Sequence, residues 1–461
     1  MGGKRQKNQL LLAFMAEGRD EFPTAAIEGI EPPVVKRSPE SPTQTDSLMK
    51  EICRRDNLWK ALKRVQANKG SPGVDGMTVK QLPGYLKRHW SKIREQLLSG
   101  TYRPQPVKRM EIPKPEGGVR KLGVPTALDR FIQQAVLQVL QRRWDRTFSE
   151  HSYGFRPGRS AHQAVAQAQA YIAEGHRYTV DIDLEKFFDR VNHDMLMGRV
   201  AKRVSDKRLL KLIRAFLCAG VMENGLVSPT EEGAPQGGPL SPLLSNLMLD
   251  DLDRELARRG LRFVRYADDC NVYVRSRRAG ERVMASICRF ITGKLKLKVN
   301  QEKSAVARPW ERKFLGFSFT AAKEPKRRIA PKTLLRFKKR VRELTKRNRG
   351  VSVERMVEQV SRYLIGWRGY FGFCQTPSVL RNLDSWIRRR LRCFQWKQWK
   401  RGKTRFAELR KRGVGKDLAA QTAGSPHGPW HISRSPALSV ALPSAYFDSL
   451  GLPRLTGPVH V

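Results

Sequence analysis

Arg262-Phe263-Val264-Arg265-Tyr266-Ala267-Asp268-Asp269-Cys270-Asn271-Val272-Tyr273-Val274 reads as two short β-branched and aromatic runs joined by a turn that carries two acids. Neighbouring ionised carboxylates repel each other, and beside a strand they are costly unless water or a cation takes up the charge. Magnesium suits such a place because it prefers carboxylate oxygens together with substrate phosphates. A lone Asp-Asp turn is ordinarily no more than a solvated hairpin tip. A second segment changes that balance: Thr179-Val180-Asp181-Ile182-Asp183-Leu184 puts Asp181 and Asp183 on one face of a strand-like run with apolar neighbours on the other. Two strands, one from each segment, could supply the carboxylates of a two-metal phosphoryl-transfer site. The period of two does not choose between Asp181 and Asp183.

Charge narrows the partners. The 461 residues hold 89 Lys plus Arg against 43 Asp plus Glu, a formal net charge of +46. So large an excess needs a polyanion to neutralise it, which makes nucleic acid the expected partner and anionic membrane a weaker one. No run of about 18 apolar residues is present to span a bilayer. The six cysteines (Cys53, Cys218, Cys270, Cys288, Cys374 and Cys393) are scattered without a CxxC, which fits a reducing cytoplasm and argues against structural zinc.

Along the chain, residues 1–48 mix both charge signs with five prolines and are expected to be a flexible leader. Residues 49–320 alternate amphipathic helices with short β-branched runs, an α+β pattern. One helix is expected after Asp129 as N-cap, with Phe131, Ile132, Ala135, Val136, Val139 and Leu140 on its buried face. Strands are expected at Tyr178–Leu184, Leu261–Ala267 and Asn271–Val274, and a helix at Pro242–Leu252. Residues 321–412 carry 29 Lys plus Arg and 6 acids, so half the net charge lies in one fifth of the chain. Stripes at Leu334, Phe337, Val341 and Leu344, at Val353, Met356, Val357, Val360 and Leu364, and at Leu383, Trp386, Ile387, Leu391 and Phe394 predict three helices there. That basic helical module is assigned to 325–412. Residues 413–461, rich in Gly, Pro, Ser and Ala, are expected to be a flexible tail.

Tyr-Ala-Asp-Asp at 266–269 and Asp183-Leu-Glu-Lys-Phe-Phe-Asp-Arg-Val-Asn-His193 together resemble the catalytic motifs of reverse transcriptases. More narrowly, the chain resembles the reverse transcriptase/maturases encoded in bacterial group II introns. The likeness runs in order from about residue 50 to 410 through Gly73-Val-Asp-Gly76, Tyr102-Arg-Pro104, Ile112-Pro-Lys114, Arg120-Lys-Leu-Gly-Val-Pro125, Ser152-Tyr-Gly-Phe-Arg-Pro-Gly158, Gly233-Ala-Pro-Gln-Gly-Gly-Pro-Leu-Ser-Pro242 and Phe314-Leu-Gly-Phe317.

The resemblance implies a right-hand polymerase of fingers and palm followed by a helical thumb, called domain X, and RNA-directed DNA synthesis with two magnesium ions, or manganese in their place. It assigns Asp183, Asp268 and Asp269 to catalysis and metal binding, with Asp269 the least direct ligand. Lys114 and Arg120 would grip the triphosphate, Phe188 would lie under the sugar and crowd a 2′-hydroxyl, and Gln236 would line the nucleotide site. Template, primer or RNA contacts fall to Lys303, Leu315, Gly316, Lys338, Lys339 and Arg340. The implied partners are the intron RNA, an RNA template with its DNA primer, deoxynucleoside triphosphates and target DNA, in a cytoplasmic bacterial ribonucleoprotein without membrane association.

Trp367, Tyr370, Phe371, Phe373, Trp396 and Trp399 are candidates for base stacking, although aromatics at helical spacing are more often core. Relatives often carry a C-terminal endonuclease segment with paired cysteines. Beyond residue 412 this sequence has His427, His431 and His460 and no cysteine, so that nuclease is not expected. Two alternatives stay open at this point: a reverse transcriptase of another bacterial class (retron, diversity-generating or CRISPR-associated), and a splicing factor that only binds RNA.

Overall fold

The computed structural model describes residues 47–113, 118–223, 225–229, 232–233 and 237–456. Lys114, Gln236 and residues 1–46 of the expected leader lie outside them. The first described helix begins at Ser47, and Leu48 and Met49 are already buried.

Ten strands occur among the described residues: β1 (Val107–Pro113), β2 (Val119–Val124), β3 (Tyr178–Ile182), β4 (Val221–Glu223), β5 (Leu226–Ser228), β6 (Arg262–Tyr266), β7 (Asp269–Val274), β8 (Ala305–Ala307), β9 (Phe317–Phe319) and β10 (Arg327–Ile329). They form sheets in the orders β2-β1-β4-β5, β6-β7-β3-β8 and β10-β9. Of the described residues, those up to Ala164 together with those of Val180–Val306 form one compact unit, and Val165–Thr179 with those from Ala307 onward form a second. The second unit therefore starts nearer 307 than 325.

In the first unit, β6 and β7 pair antiparallel with Tyr266 opposite Asp269, leaving Ala267 and Asp268 as a two-residue tip. The strand runs are read correctly from the sequence to within two residues, because apolar alternation ends where the acids begin. The helix Ala127–Trp144 buries the predicted face, but its N-cap is Thr126, whose hydroxyl accepts from the Asp129 amide at 3.0 Å. Asp129 is instead a buried anchor: its carboxylate accepts from the Tyr102 hydroxyl at 2.9 Å and from Thr126 at 2.6 Å. The helix expected at Pro242–Leu252 runs from Ser241 to Arg258.

The second unit is helical, with β9 and β10 at its start. The three predicted stripes lie on the helices Pro331–Leu344, Val353–Phe371 and Pro377–Gln398. The expected flexible tail is corrected by the structure: helices Lys416–Ala423, Pro429–Ile432, Pro436–Ala441 and Ser444–Ser449 fold onto the same core. Val414, Leu438, Leu442, Phe447, Leu452 and Leu455 share one apolar cluster with Val360, Leu364 and Ile387. The backbone amide of Leu455 also donates to the buried Asp384 carboxylate at 2.9 and 3.0 Å. Helices this short show no sustained period, so composition alone makes them look like loop.

Candidate polymerase active site

The acidic tip is held by a guanidinium that lies inside the protein. Arg265 is wholly buried and grips Asp253 through Nε–Oδ1 at 2.7 Å and Nη2–Oδ2 at 2.5 Å. Its remaining donors reach Asn246 Oδ1 (3.0 Å), Ser152 Oγ (2.8 Å) and the carbonyl oxygen of Ala267 (2.9 Å). Ala267 has φ 58, a left-handed conformation that costs a non-glycine residue roughly 1–3 kcal/mol. The Arg265 bond to its carbonyl holds the residue there, so the turn keeps one shape.

A second clamp comes from the segment before Arg156. Ser152 bridges Arg265 in parallel, the Tyr153 amide donates to the Arg265 carbonyl at 2.8 Å, and the Arg265 amide donates to the His151 carbonyl at 2.9 Å. Gly154 then passes so close that a Cβ there would lie 2.2 Å from the Ala267 nitrogen and 2.9 Å from the Tyr266 carbonyl carbon. This explains the glycine of Ser-Tyr-Gly-Phe-Arg-Pro: only a bare backbone fits against the acidic turn. Arg156, further along, is tied to Asp145 at 2.8 Å and to the Ser149 and Ser152 carbonyls. Ser152 opens a motif quoted for the family likeness, but Arg265, Asp253 and Asn246 were not singled out from the sequence; the available signal for Arg265 was an arginine at an inward position of an apolar strand.

Asp183 leaves β3 and is cupped by the turn Asn300–Ser304. Its amide donates to Ser304 Oγ at 3.0 Å, its carbonyl accepts from the Asn300 amide at 2.8 Å, and Lys303 Nζ stands 3.7 Å from Oδ2. The Asn271 amide, with its nitrogen turned towards β3, donates to Asp181 Oδ1 at 3.0 Å. The two acids of this strand thus have different surroundings.

Asp183 and Asp268 lie within electrostatic reach of each other. Burial pushes the Asp268 carboxyl above its ordinary value and the negative charge of Asp183 pushes the same way, while its own backbone amide, Arg120 and Arg265 pull it back. Arg120 sits on exposed β2 opposite Ile112, so the β1–β2 hairpin directs a cation at the acidic tip. Asp269 is exposed, and among the described residues no group of three or more potential ligands is gathered. Two carboxylates within electrostatic reach of each other, one disfavoured as an anion, suit a hard divalent cation that takes its remaining ligands from substrate and water.

Phe188 is half-buried in the short turn Phe187–Asp189, with its ring edge-to-face on buried Phe187 at 5.2 Å. In the second unit, Leu315 and Gly316 form a tight turn: the Tyr370 hydroxyl donates to the Leu315 carbonyl at 2.9 Å and Thr333 to the Gly316 carbonyl at 3.0 Å. Lys339 and Arg340 are exposed and Lys338 half-buried, on the helix whose other face buries Phe337 and Val341. Of the six aromatic candidates, Trp367, Trp396 and Trp399 are core residues, because their helical stripe is the packed one. Phe373 is covered by the Arg327 guanidinium at 3.9 Å, and Phe371 packs on Gly316.

Residues 112–319 match the family described as Reverse transcriptase (RNA-dependent DNA polymerase), and residues 334–413 match the Group II intron, maturase-specific domain. Protein YkfC of Escherichia coli (strain K12) is 33% identical over 299 residues, covering 56% of this chain and 78% of that protein. Group II intron-encoded protein LtrA of Lactococcus lactis subsp. cremoris is 36% identical over 219 residues, 47% of this chain and 36% of its own length. A chain of the "Partial Cas6-RT-Cas1--Cas2 complex" aligns over 55% of this chain and 43% of that one, at 24% identity and a TM-score of 0.35. Among the described residues no helix is long and apolar enough to cross a membrane. The paired polymerase and maturase matches, in that order along one chain, account for both the acidic palm and the basic helices: this protein belongs to the group II intron-encoded reverse transcriptase/maturases, with an RNA-directed DNA polymerase domain ahead of a maturase domain.

Proposed function

We propose that Asp183 and Asp268 are the carboxylates at which this chain joins deoxynucleotides to a primer on an RNA template. The observation that carries this is that Asp183, just past β3, lies within electrostatic reach of Asp268 in the β6–β7 turn and helps raise its carboxyl, in a protein of net charge +46. These carboxylates would hold magnesium, or manganese in its place, and the ion would supply the positive charge that favours an ionised primer 3′-oxygen and a departing pyrophosphate. Arg265 keeps the Ala267–Asp268 turn in one conformation, so Asp268 is positioned before substrate arrives. Lys303 holds Asp183 in place from the outer side, and Arg120 faces the place where triphosphate oxygens would lie. The half-buried Phe188 ring is the proposed surface against the sugar, and Lys114 and Gln236 are proposed nucleotide contacts. The exposed Asp269 is proposed as the third metal-binding carboxylate.

The basic helix bearing Lys338, Lys339 and Arg340 is proposed to hold the phosphates of template, primer and intron RNA, an affinity that falls steeply with salt. Through that hold the protein would assist splicing of its intron and, with target DNA, its mobility. The test is primer extension on poly(rA)/oligo(dT) alongside RNA binding. D183N and D268N should each lower extension by at least about a thousandfold while leaving RNA affinity within about threefold. Extension retained in either variant overturns the assignment.

A further inference from the structure

Outside the acidic site, one exposed thiol has a built environment. Cys218 follows the helix Lys207–Leu217 and is exposed, and its Sγ lies 3.7 Å from Nδ1 of His193. His193, nearly buried at the start of the helix His193–Ala201, has its other ring nitrogen, Nε2, 2.6 Å from the Gly233 carbonyl oxygen. A carbonyl only accepts, so Nε2 carries the hydrogen and, in the neutral ring, Nδ1 presents its lone pair to the Cys218 thiol. Arg214, one helical turn before Cys218, is paired with Asp194 at 2.6 Å and lies within electrostatic reach of the thiol. The arrangement has the three parts of an activated nucleophile: a thiol, a base facing it, and a group that fixes the base's tautomer and orientation.

We infer that Cys218, with His193 and Arg214, is a reactive modification site that takes small disulfides of the glutathione type. In the step, His193 Nδ1 accepts the thiol proton and the Cys218 thiolate attacks one sulfur of R–S–S–R. The new S–S bond forms as the old one breaks, and the departing R–S⁻ carries away the electron pair and is protonated to R–SH. Cys218 is oxidised to a mixed disulfide, and half of the reagent is reduced to thiol.

The other cysteines provide an internal reference. Burial pushes the Cys53 thiol up to about 11 and raises those of Cys270, Cys288 and Cys393 as well, so these are poor nucleophiles; Cys374 is half-buried.

The test treats the full-length protein with oxidised glutathione and, separately, with iodoacetamide at neutral pH, and follows each cysteine by peptide mass spectrometry. Cys218 should react about tenfold or more faster than Cys374 with both reagents. H193Q, whose amide can still donate to the Gly233 carbonyl but is no base, should slow Cys218 about tenfold, and R214Q, altering a half-exposed side chain, about threefold. The Cys374 rate serves as the folding check, since it rises if a variant has loosened. Cys218 reacting no faster than Cys374, or at an unchanged rate in both H193Q and R214Q, overturns the inference.

Discussion

Arg265 and Asp253 form an ion pair with both side chains fully buried, and the same guanidinium donates to the Ala267 carbonyl at 2.9 Å. Stability and the shape of the acidic turn therefore depend on one pair of residues. Leaving Arg265 buried without its partner should cost about 3–5 kcal/mol. D253N is expected to lower the urea midpoint of the polymerase unit and to reduce primer extension even at temperatures where the protein stays folded. Wild-type activity in a folded D253N would show that the turn holds its shape without the pair.

Gly154 gives a sharper separation of folding from chemistry. A methyl group there would meet the backbone of Tyr266 and Ala267, atoms that cannot rotate away. G154A should therefore displace the Asp268 turn and lower kcat by more than about tenfold, since an ångström of misplacement at a reacting centre costs that much or more. RNA affinity, which the basic helices are proposed to supply, should stay unchanged in a filter-binding assay.

Asp268 sets activity against stability. Its carboxyl is raised above 3.8 in the folded protein, so in the window above that value the folded state holds on to a proton that the unfolded chain releases. Stability contributed at this position falls as pH rises through the window and is not regained above it. D268N removes the penalty. It should melt at a higher temperature than wild type at neutral pH, with the gap narrowing as pH is lowered towards 4, while primer extension is lost.

Magnesium provides a direct reading of the same site. A ligand that binds only the folded state stabilises it by mass action. Added magnesium should raise the melting temperature of the wild type more than that of D268N, in calorimetry with no nucleic acid or nucleotide present. Equal shifts would place the ion elsewhere.

The C-terminal segment should behave as core. Stopping the chain after Arg412 removes Phe447, Leu452 and Leu455 from the apolar cluster and takes from the buried Asp384 carboxylate its hydrogen bonds from the Leu455 amide. The truncated protein is expected to lose tertiary near-UV circular dichroism and to be cut by trypsin within the helices 331–398, whereas a merely appended tail would leave both unaltered.

The sequence by itself determined the elements that local pattern specifies: the strands flanking Asp268, the apolar stripes of three basic helices, the uneven charge, and the ordered motifs that carry the family likeness. Each of these is written in residues close together along the chain, where a period of two or of 3.6 or a short motif suffices. Tertiary structure alone decided the rest. Ser152 meets Arg265 across 113 positions, Leu455 caps Asp384 across 71, and Lys303 reaches Asp183 from a turn about 120 positions further along the chain. No local period encodes such pairings. The same reason explains the misread tail, whose short helices are stable only because a core formed elsewhere in the chain covers their apolar faces. It also explains why Asp181 and Asp183 look equivalent in sequence: they share a strand face, and only the side chains that fold against each, Asn271 on one and Lys303 on the other, make them different.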